Sequence, residues 1–258
     1  MGGDRVRGSV RRMRRFFVRP EDVGRSELFL LGDEAAHLGR VLRLSPGARI
    51  NAFDGRGREY LAVVEHVEAD RVRCRILQQT ETAPPTSVSI SLGQGLPKAE
   101  KFAWVIQKAT ELGVAEIVPL LTERAVPQLS EARMTAKQAR WEKIAREASK
   151  QSGRVTVPRL RLPMRLEDFY SAFQSADLKL VLWEGERRRP LRTVLDAYER
   201  AAAIAVVVGP EGGLTPQEVA QGESYGFLPV GLGARILRTE TAGLVAVALL
   251  QYRFGDLG

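Results

Sequence analysis

Along residues 14–83 apolar positions alternate with polar ones in short runs. The segments "RRFFV", "ELFLL", "ARINAFDG", "EYLAVVEHVEA" and "RVRCRILQQ" read as strands, and "SPG" and "DGRG" read as turns between them. One stretch of helical spacing interrupts the series, "DEAAHLGRVLRL", with Asp33 placed to cap its start. Several short strands and a single helix predict a small β-barrel.

The pattern changes after "TETAPPTS", residues 80–87, a polar and proline-bearing stretch that reads as a linker. From there the apolar runs "SVSISLGQGL", "EIVPLL", "LKLVLW", "AIAVVVG" and "FLPVGLG" are separated by segments of helical period. In "KAEKFAWVIQKATELG" the residues Phe102, Val105, Ile106 and Ala109 share one face, and Gly113 stands where a helix stops. The other helical segments are "SEARMTAKQARWEKIAREASKQSG", "LEDFYSAFQ", "LRTVLDAYER", "TPQEVAQGESYG" and "ETAGLVAVALLQYRFG". Strands alternating with helices predict an α/β domain over residues 84–258, with a mostly parallel sheet covered on both faces. Ligands of such sheets bind beyond the carboxyl ends of the strands, and the turns Gly209–Gly213 and Gly231–Arg238 fall there. The last helix is apolar nearly all round, which suits either deep burial or a subunit interface.

Composition narrows the class. The chain has 258 residues, 44% hydrophobic and 27% charged, as for an ordinary globular protein with room for two cores. Its longest apolar run, "AAAIAVVV", is too short to span a bilayer, and no apolar stretch follows the basic start. A cytoplasmic protein without membrane contact is expected. The one cysteine, Cys74, excludes an intrachain disulfide, and with His37 and His66 it makes no zinc spacing, so no metal site is expected. The net charge of +8 points to nucleic acid. Residues 1–20 hold seven arginines and one aspartate, whereas residues 21–83 hold nine arginines against eleven acids. The basic extension 1–13 reads equally as a solvated flexible tail, an early start ahead of Met13, or an arm on a phosphate backbone.

The two glycine turns carry the chemistry. In "GPEGGLTPQEV" the residues Thr215, Pro216 and Glu218 match a capping box with proline in the first turn, so the turn feeds a helix N-terminus. Glu211 would repel a phosphate there, and no P-loop lysine is present. A neutral or cationic ligand fits better, unless the turn is merely structural. In "LGARILRTETAG", Arg235 and Arg238 lie three apart, either of them able to pair with Glu240, and Thr239 or Thr241 can cap the last helix.

Together these two motifs resemble the cofactor-binding loops of the SPOUT superfamily of S-adenosylmethionine-dependent RNA methyltransferases. More narrowly, the chain is similar to the bacterial 16S ribosomal RNA uridine-N3 methyltransferase family. "MRRFFV", "AAHLGRVLRLSPG", "QGLPKAEKFAWVIQKATELGV", "PLLTERAV", "RWEKIAREASKQSGR" and the closing "FGDLG" fit it as well. Ala234 replaces the usual proline, and Lys150 stands where an acid is common.

The resemblance implies a PUA-like RNA-binding β-barrel domain over 14–83 and a SPOUT domain over 84–258 whose parallel sheet ends in a deep trefoil knot. It implies a homodimer that methylates N3 of a specific uridine in 16S ribosomal RNA near the decoding region of the small subunit. Carried over, the donor S-adenosylmethionine would be held by Leu182, Trp183, Gly209, Pro210, Glu211, Gly212, Gly213, Leu232, Gly233, Ile236, Leu237, Arg238 and Thr239. Glu211 would either meet the donor's cationic end or brace its loop. Arg238 would stabilise charge on the uridine carbonyls, with Arg124 as a second candidate; Glu240 would orient the arginine, pass on the proton or form a structural ion pair. RNA would be gripped by Arg14, Arg15, His37, Arg40, Arg43, Lys98, Lys101 and Arg154. Arg40 and Arg43 are expected on one helix face, and His37 to be either an RNA contact or a core residue.

Overall fold

A computed structural model describes residues 13–81, 88–97, 101–124 and 131–258, without the side chains of 131–134. The extension before Met13, most of the linker, Lys98 and the end of "TERAV" lie outside the described residues. The chain divides into two compact units, Met1–Ala83 and Pro84–Gly258.

In the first unit, β1 (Arg15–Phe17), β2 (Glu27–Leu31), β3 (Arg49–Phe53), β4 (Arg58–Val67) and β5 (Arg71–Glu81) form one sheet in the order β1-β3-β4-β5-β2. The alternation seen in the sequence sets its inner face. Leu28 and Leu30, Tyr60, Ala62 and Val64, and Val72 and Cys74 point into a core completed by Phe16, Ile50, Ala35 and Leu38. Burial pushes the Cys74 thiol up to about 12, which makes it an inert apolar side chain. Register shifts at Leu61/Ala62 and Val64/His66 bend the long β4–β5 pair. Among the described residues no ladder joins β1 to β2, so the expected barrel is an open half-barrel.

The expected helix at 33–44 is also shorter. It is α1 (Asp33–Ala36), followed by a π-helical turn, His37–Val41. Its N-cap is Gly32 at φ 56, a left-handed conformation that glycine adopts without strain, and not Asp33. Arg43, at φ 50, has left the helix, so Arg40 and Arg43 do not share a helix face.

The second unit holds β6 (Ser89–Gly95), β7 (Glu116–Leu121), β8 (Arg159–Leu160), β9 (Met164–Arg165), β10 (Leu178–Leu182), β11 (Ala203–Val208) and β12 (Leu228–Val230). All their pairings are parallel, in the order β12-β10-β11-β6-β7-β8, with β9 also beside β7. Successive residues of each strand serve opposite faces. Leu178, Leu180, Ile204 and Val206 pack with α2 (Lys101–Glu111), α3 (Glu131–Ser152), α5 (Leu191–Asp196) and α7 (Thr239–Phe254). Val181, Ala205 and Val207 pack with α4 (Leu166–Ala172) and α6 (Pro216–Ser224) through Phe169, Tyr170 and Val219. Gly113 ends α2 at φ 88, as its position suggested. The last helix, α7, is in the core along Leu244, Val247 and Leu250, yet Leu249 and Tyr252 are 41% and 71% exposed. No described helix is long and apolar enough to cross a membrane, and no described cluster of side chains could hold a metal ion.

Candidate functional site

Strands β12, β10 and β11 lie side by side, and the loops leaving their carboxyl ends enclose a cavity of about 760 Å³. Every residue expected at the donor lines it except Gly212, and Lys101, Glu184, Glu186, Arg187, Arg235 and Glu240 line it too.

The loop after β11 is closed by a hydrogen bond from the Gly213 amide to the Pro210 carbonyl at 2.9 Å, with Gly213 at φ 70. It packs hard against the end of β6. A Cβ on Gly95 would stand 2.5 Å from the Pro210 nitrogen. The Thr239 hydroxyl donates to the Gly209 carbonyl and accepts from Gln94 Nε2 at 2.7 Å. Gln94 is fully buried, and its Oε1 has no partner among the described residues. Thr239 is therefore a tie between three segments. The cap of α7 is Arg238, without a side-chain cap bond, so neither Thr239 nor Thr241 has the capping role expected. At α6 the capping box forms as expected: Glu218 donates its amide to the Thr215 hydroxyl at 3.2 Å, and its carboxylate accepts from the Thr215 amide at 2.8 Å.

The same Glu218 accepts from the Glu123 amide at 2.8 Å, and Arg124 Nη1 donates to the Gly212 carbonyl at 2.8 Å. The segment after β7 thus braces the glycine turn from outside. Arg124 does not line the cavity, and its guanidinium holds the turn.

The loops after β10 and β12 are joined to each other. The Trp183 amide donates to Val230, the Gly231 amide to Arg189 and the Leu191 amide to Gly231, at 2.9–3.1 Å. A Cβ on Gly231 would lie 2.5 Å from the Glu186 carbonyl oxygen. The Glu186 carboxylate accepts from the amides of Arg188 and Arg189 at 2.6 and 3.0 Å, which holds its carboxyl below the usual range.

Charge inside the cavity is distributed unevenly. Lys101 Nζ lies 3.4 Å from Glu211 and 3.3 Å from Glu240, so a lysine assigned to RNA is instead held between two cavity carboxylates. Glu240 therefore pairs with lysine and not with Arg235 or Arg238. Its second oxygen, Oε2, is buried with no partner among the described residues. Arg187, Arg235 and Arg238 line the cavity and are exposed, and their guanidinium groups make no hydrogen bond or ion pair to a described residue.

The remaining RNA candidates separate. Arg154 is half-buried and donates to the carbonyls of Thr110 and Val114 at 2.7 and 2.9 Å. Burial lowers its guanidinium to about 10, and it stands at the amino ends of the strands, so it buttresses the end of α2. In the first unit Arg14, Arg40 and Arg43 are exposed. Arg15 pairs with Glu59 at 3.0 Å and lies over the Phe53 ring. His37 is half-buried beside Phe16, with ring centroids 6.1 Å apart.

Sequence reading missed Gln94, Gly95, Glu186, Arg187 and the position of Lys101. For Gln94 there was a signal, a polar residue between two glycines at the end of an apolar strand.

Comparison with known proteins places this arrangement. An RNA methyltransferase domain matches residues 84–251, and an RNA methyltransferase PUA domain matches residues 30–77. Ribosomal RNA small subunit methyltransferase E of Bacillus subtilis is 31% identical over 248 residues, covering 93% of this chain and 97% of that protein. The same-named protein of Neisseria gonorrhoeae, solved bound to S-adenosyl methionine, superposes with a TM-score of 0.85 at 35% identity, over 95% of this chain and 100% of the other. A Legionella pneumophila methyltransferase, solved with its cofactor SAM, gives 0.85 at 34% identity, over 93% and 98%.

Proposed function

Because this chain belongs to the RNA methyltransferase family that includes ribosomal RNA small subunit methyltransferase E, we propose that it methylates 16S ribosomal RNA from S-adenosylmethionine, at N3 of a specific uridine near the decoding region. The observation that carries this reading is the meeting of the two glycine loops in one cavity. Its volume suits a small molecule. Carboxylates Glu211 and Glu240 line it with Lys101 between them, beside the exposed Arg187, Arg235 and Arg238. Groups of both signs fit a donor that carries a cationic centre and a carboxylate.

S-adenosylmethionine, when bound, supplies a methyl group already activated on a sulfonium. The protein then has to align uridine N3 with it and help remove a weakly acidic N–H. The imide edge must be free of pairing, so the target is an unpaired or extruded base. Deprotonation places charge on the carbonyl oxygens, and Arg238, exposed and unpaired in the cavity, can stabilise it. The unpartnered Oε2 of Glu240 supports a role for this carboxylate in accepting the proton. Glu211, beside Lys101, faces the donor's cationic end or shapes its turn.

Two features of the family complete the proposal. The loops joined after β10 and β12 support a trefoil knot at the carboxyl end of the sheet. The exposed side of α7 supports a homodimer: Val245, Leu249 and Tyr252, at spacings of four and three, share a face that the described residues leave half-buried at Val245 and exposed at Leu249 and Tyr252. The enzyme would work in the cytoplasm, on small subunits.

Incubating the protein with S-adenosylmethionine and unmethylated small subunits should yield N3-methyluridine, read by mass spectrometry of the digested RNA. Transfer to a ribose or to another base would overturn the assignment.

A further inference from the structure

We propose that Arg187 and Arg235 form an anion clamp at the mouth of the cavity, which seats a phosphodiester of the RNA beside the target uridine. The proposal rests on the RNA methyltransferase reading and assigns the substrate's backbone a place on it.

The two arginines come from different loops, after β10 and after β12. Backbone hydrogen bonds join these loops, Gly231 to Arg189 at 3.1 Å and Leu191 to Gly231 at 2.9 Å. The arginines are thus carried on one wall whose parts do not have to find each other when RNA arrives, which lowers the ordering cost of binding.

Neither guanidinium serves the protein itself. Two of the four cavity carboxylates already have Lys101, at 3.4 and 3.3 Å. A third, Glu186, is occupied by two backbone amides at 2.6 and 3.0 Å, and the fourth, Glu184, makes no ion pair with either arginine. Arg187 and Arg235 make no hydrogen bond or ion pair to any described residue. A planar fork of five donors on an exposed residue of a cavity wall matches phosphate oxygens bidentately.

A third feature distinguishes RNA from a free anion. Ile236, next to Arg235, also lines the cavity and is 81% exposed. An aliphatic side chain standing in water beside an unpaired cation fits a ligand with both an apolar surface and a negative charge. A nucleotide has these as its base or sugar face and its phosphate. The donor carries a single carboxylate, and RNA brings one phosphate per nucleotide.

The test compares wild type with Arg187→Ala, Arg235→Ala, the double variant and the two lysine substitutions. Affinity for unmethylated small subunits is measured without donor over a range of salt, KM and kcat are measured with donor, and donor affinity is measured by calorimetry. Loss of each arginine should weaken subunit binding about tenfold, the size of one charge-assisted hydrogen bond. It should also flatten the logarithmic salt dependence by about 0.7. Donor affinity and melting temperature should not change, and the lysine variants should restore the salt slope. Weakened donor binding with unchanged subunit binding would assign the pair to the donor's carboxylate and overturn the clamp, as would no effect on either. If wild type methylates N3 while the double variant binds subunits normally, the clamp fails alone. If the arginines govern subunit binding but N3 is not methylated, the proposed reaction fails alone.

Discussion

Arg238 caps α7 through its backbone and lines the cavity with its guanidinium unpaired among the described residues, so one residue both starts a helix and offers a charge. Removing that charge should not disturb the helix, because no side-chain cap bond exists to lose. Arg238→Ala is therefore expected to lower kcat by about a hundredfold, the usual loss for one donor to a developing oxyanion. Donor affinity, measured by calorimetry, should change little; equal losses in both would make Arg238 a binding residue. At this scale the sequence, through the family resemblance, showed many of the residues that line the cavity and not what each one touches. Gln94 and Thr239 are 145 positions apart, and Lys101 and Glu240 are 139 apart. Periodicity reports a residue's own neighbours on its helix or strand. It does not report which distant residue comes to face it.

The long elements were legible because their apolar spacing is enforced by burial on defined faces: α2, α3, β6, β7, β10 and β11 lie where their patterns put them. Strands β8 and β9 were missed because two residues each carry no period. The helix after β2 was overextended because its apolar spacing continues after Arg43 has turned left-handed. Element packing also explains Gly95. Its strand ends flush against the turn that follows β11, with no room for even a methyl group. Gly95→Ala must push backbone, not a flexible side chain, and so should displace the turn from the site. We expect a loss of turnover of about a hundredfold, typical of a small misplacement. Weakened donor binding by calorimetry should accompany it, with the protein still folded by circular dichroism. Normal donor binding would mean that this contact does not position the turn.

For the molecule as a whole, the apolar last helix allowed two readings, burial or an interface, and α7 does some of each. Leu244, Val247 and Leu250 are in the core while Leu249 and Tyr252 are outside it. A charge on the outer side alone should separate the two. Leu249→Asp is expected to leave the monomer folded and to convert a dimer to monomer in analytical ultracentrifugation; a wild type that sediments as a monomer would remove the dimer from the proposal. The half-barrel shows the limit at this scale, since whether the ends of a sheet meet depends on bends such as those in β4–β5, and not on the alternation of residues.

The tie made by Thr239 has a consequence in time. Thr239 belongs to the last helix, while Gln94 belongs to β6 and Gly209 to the turn after β11, which leave the ribosome earlier during synthesis. The turn after β11 is therefore without its tie until α7 has been translated and docked. Long-range contacts of this kind form late. A nascent enzyme would be unable to engage its donor until α7 has been made, and a chain cut before α7 would be inactive however well its first unit had folded.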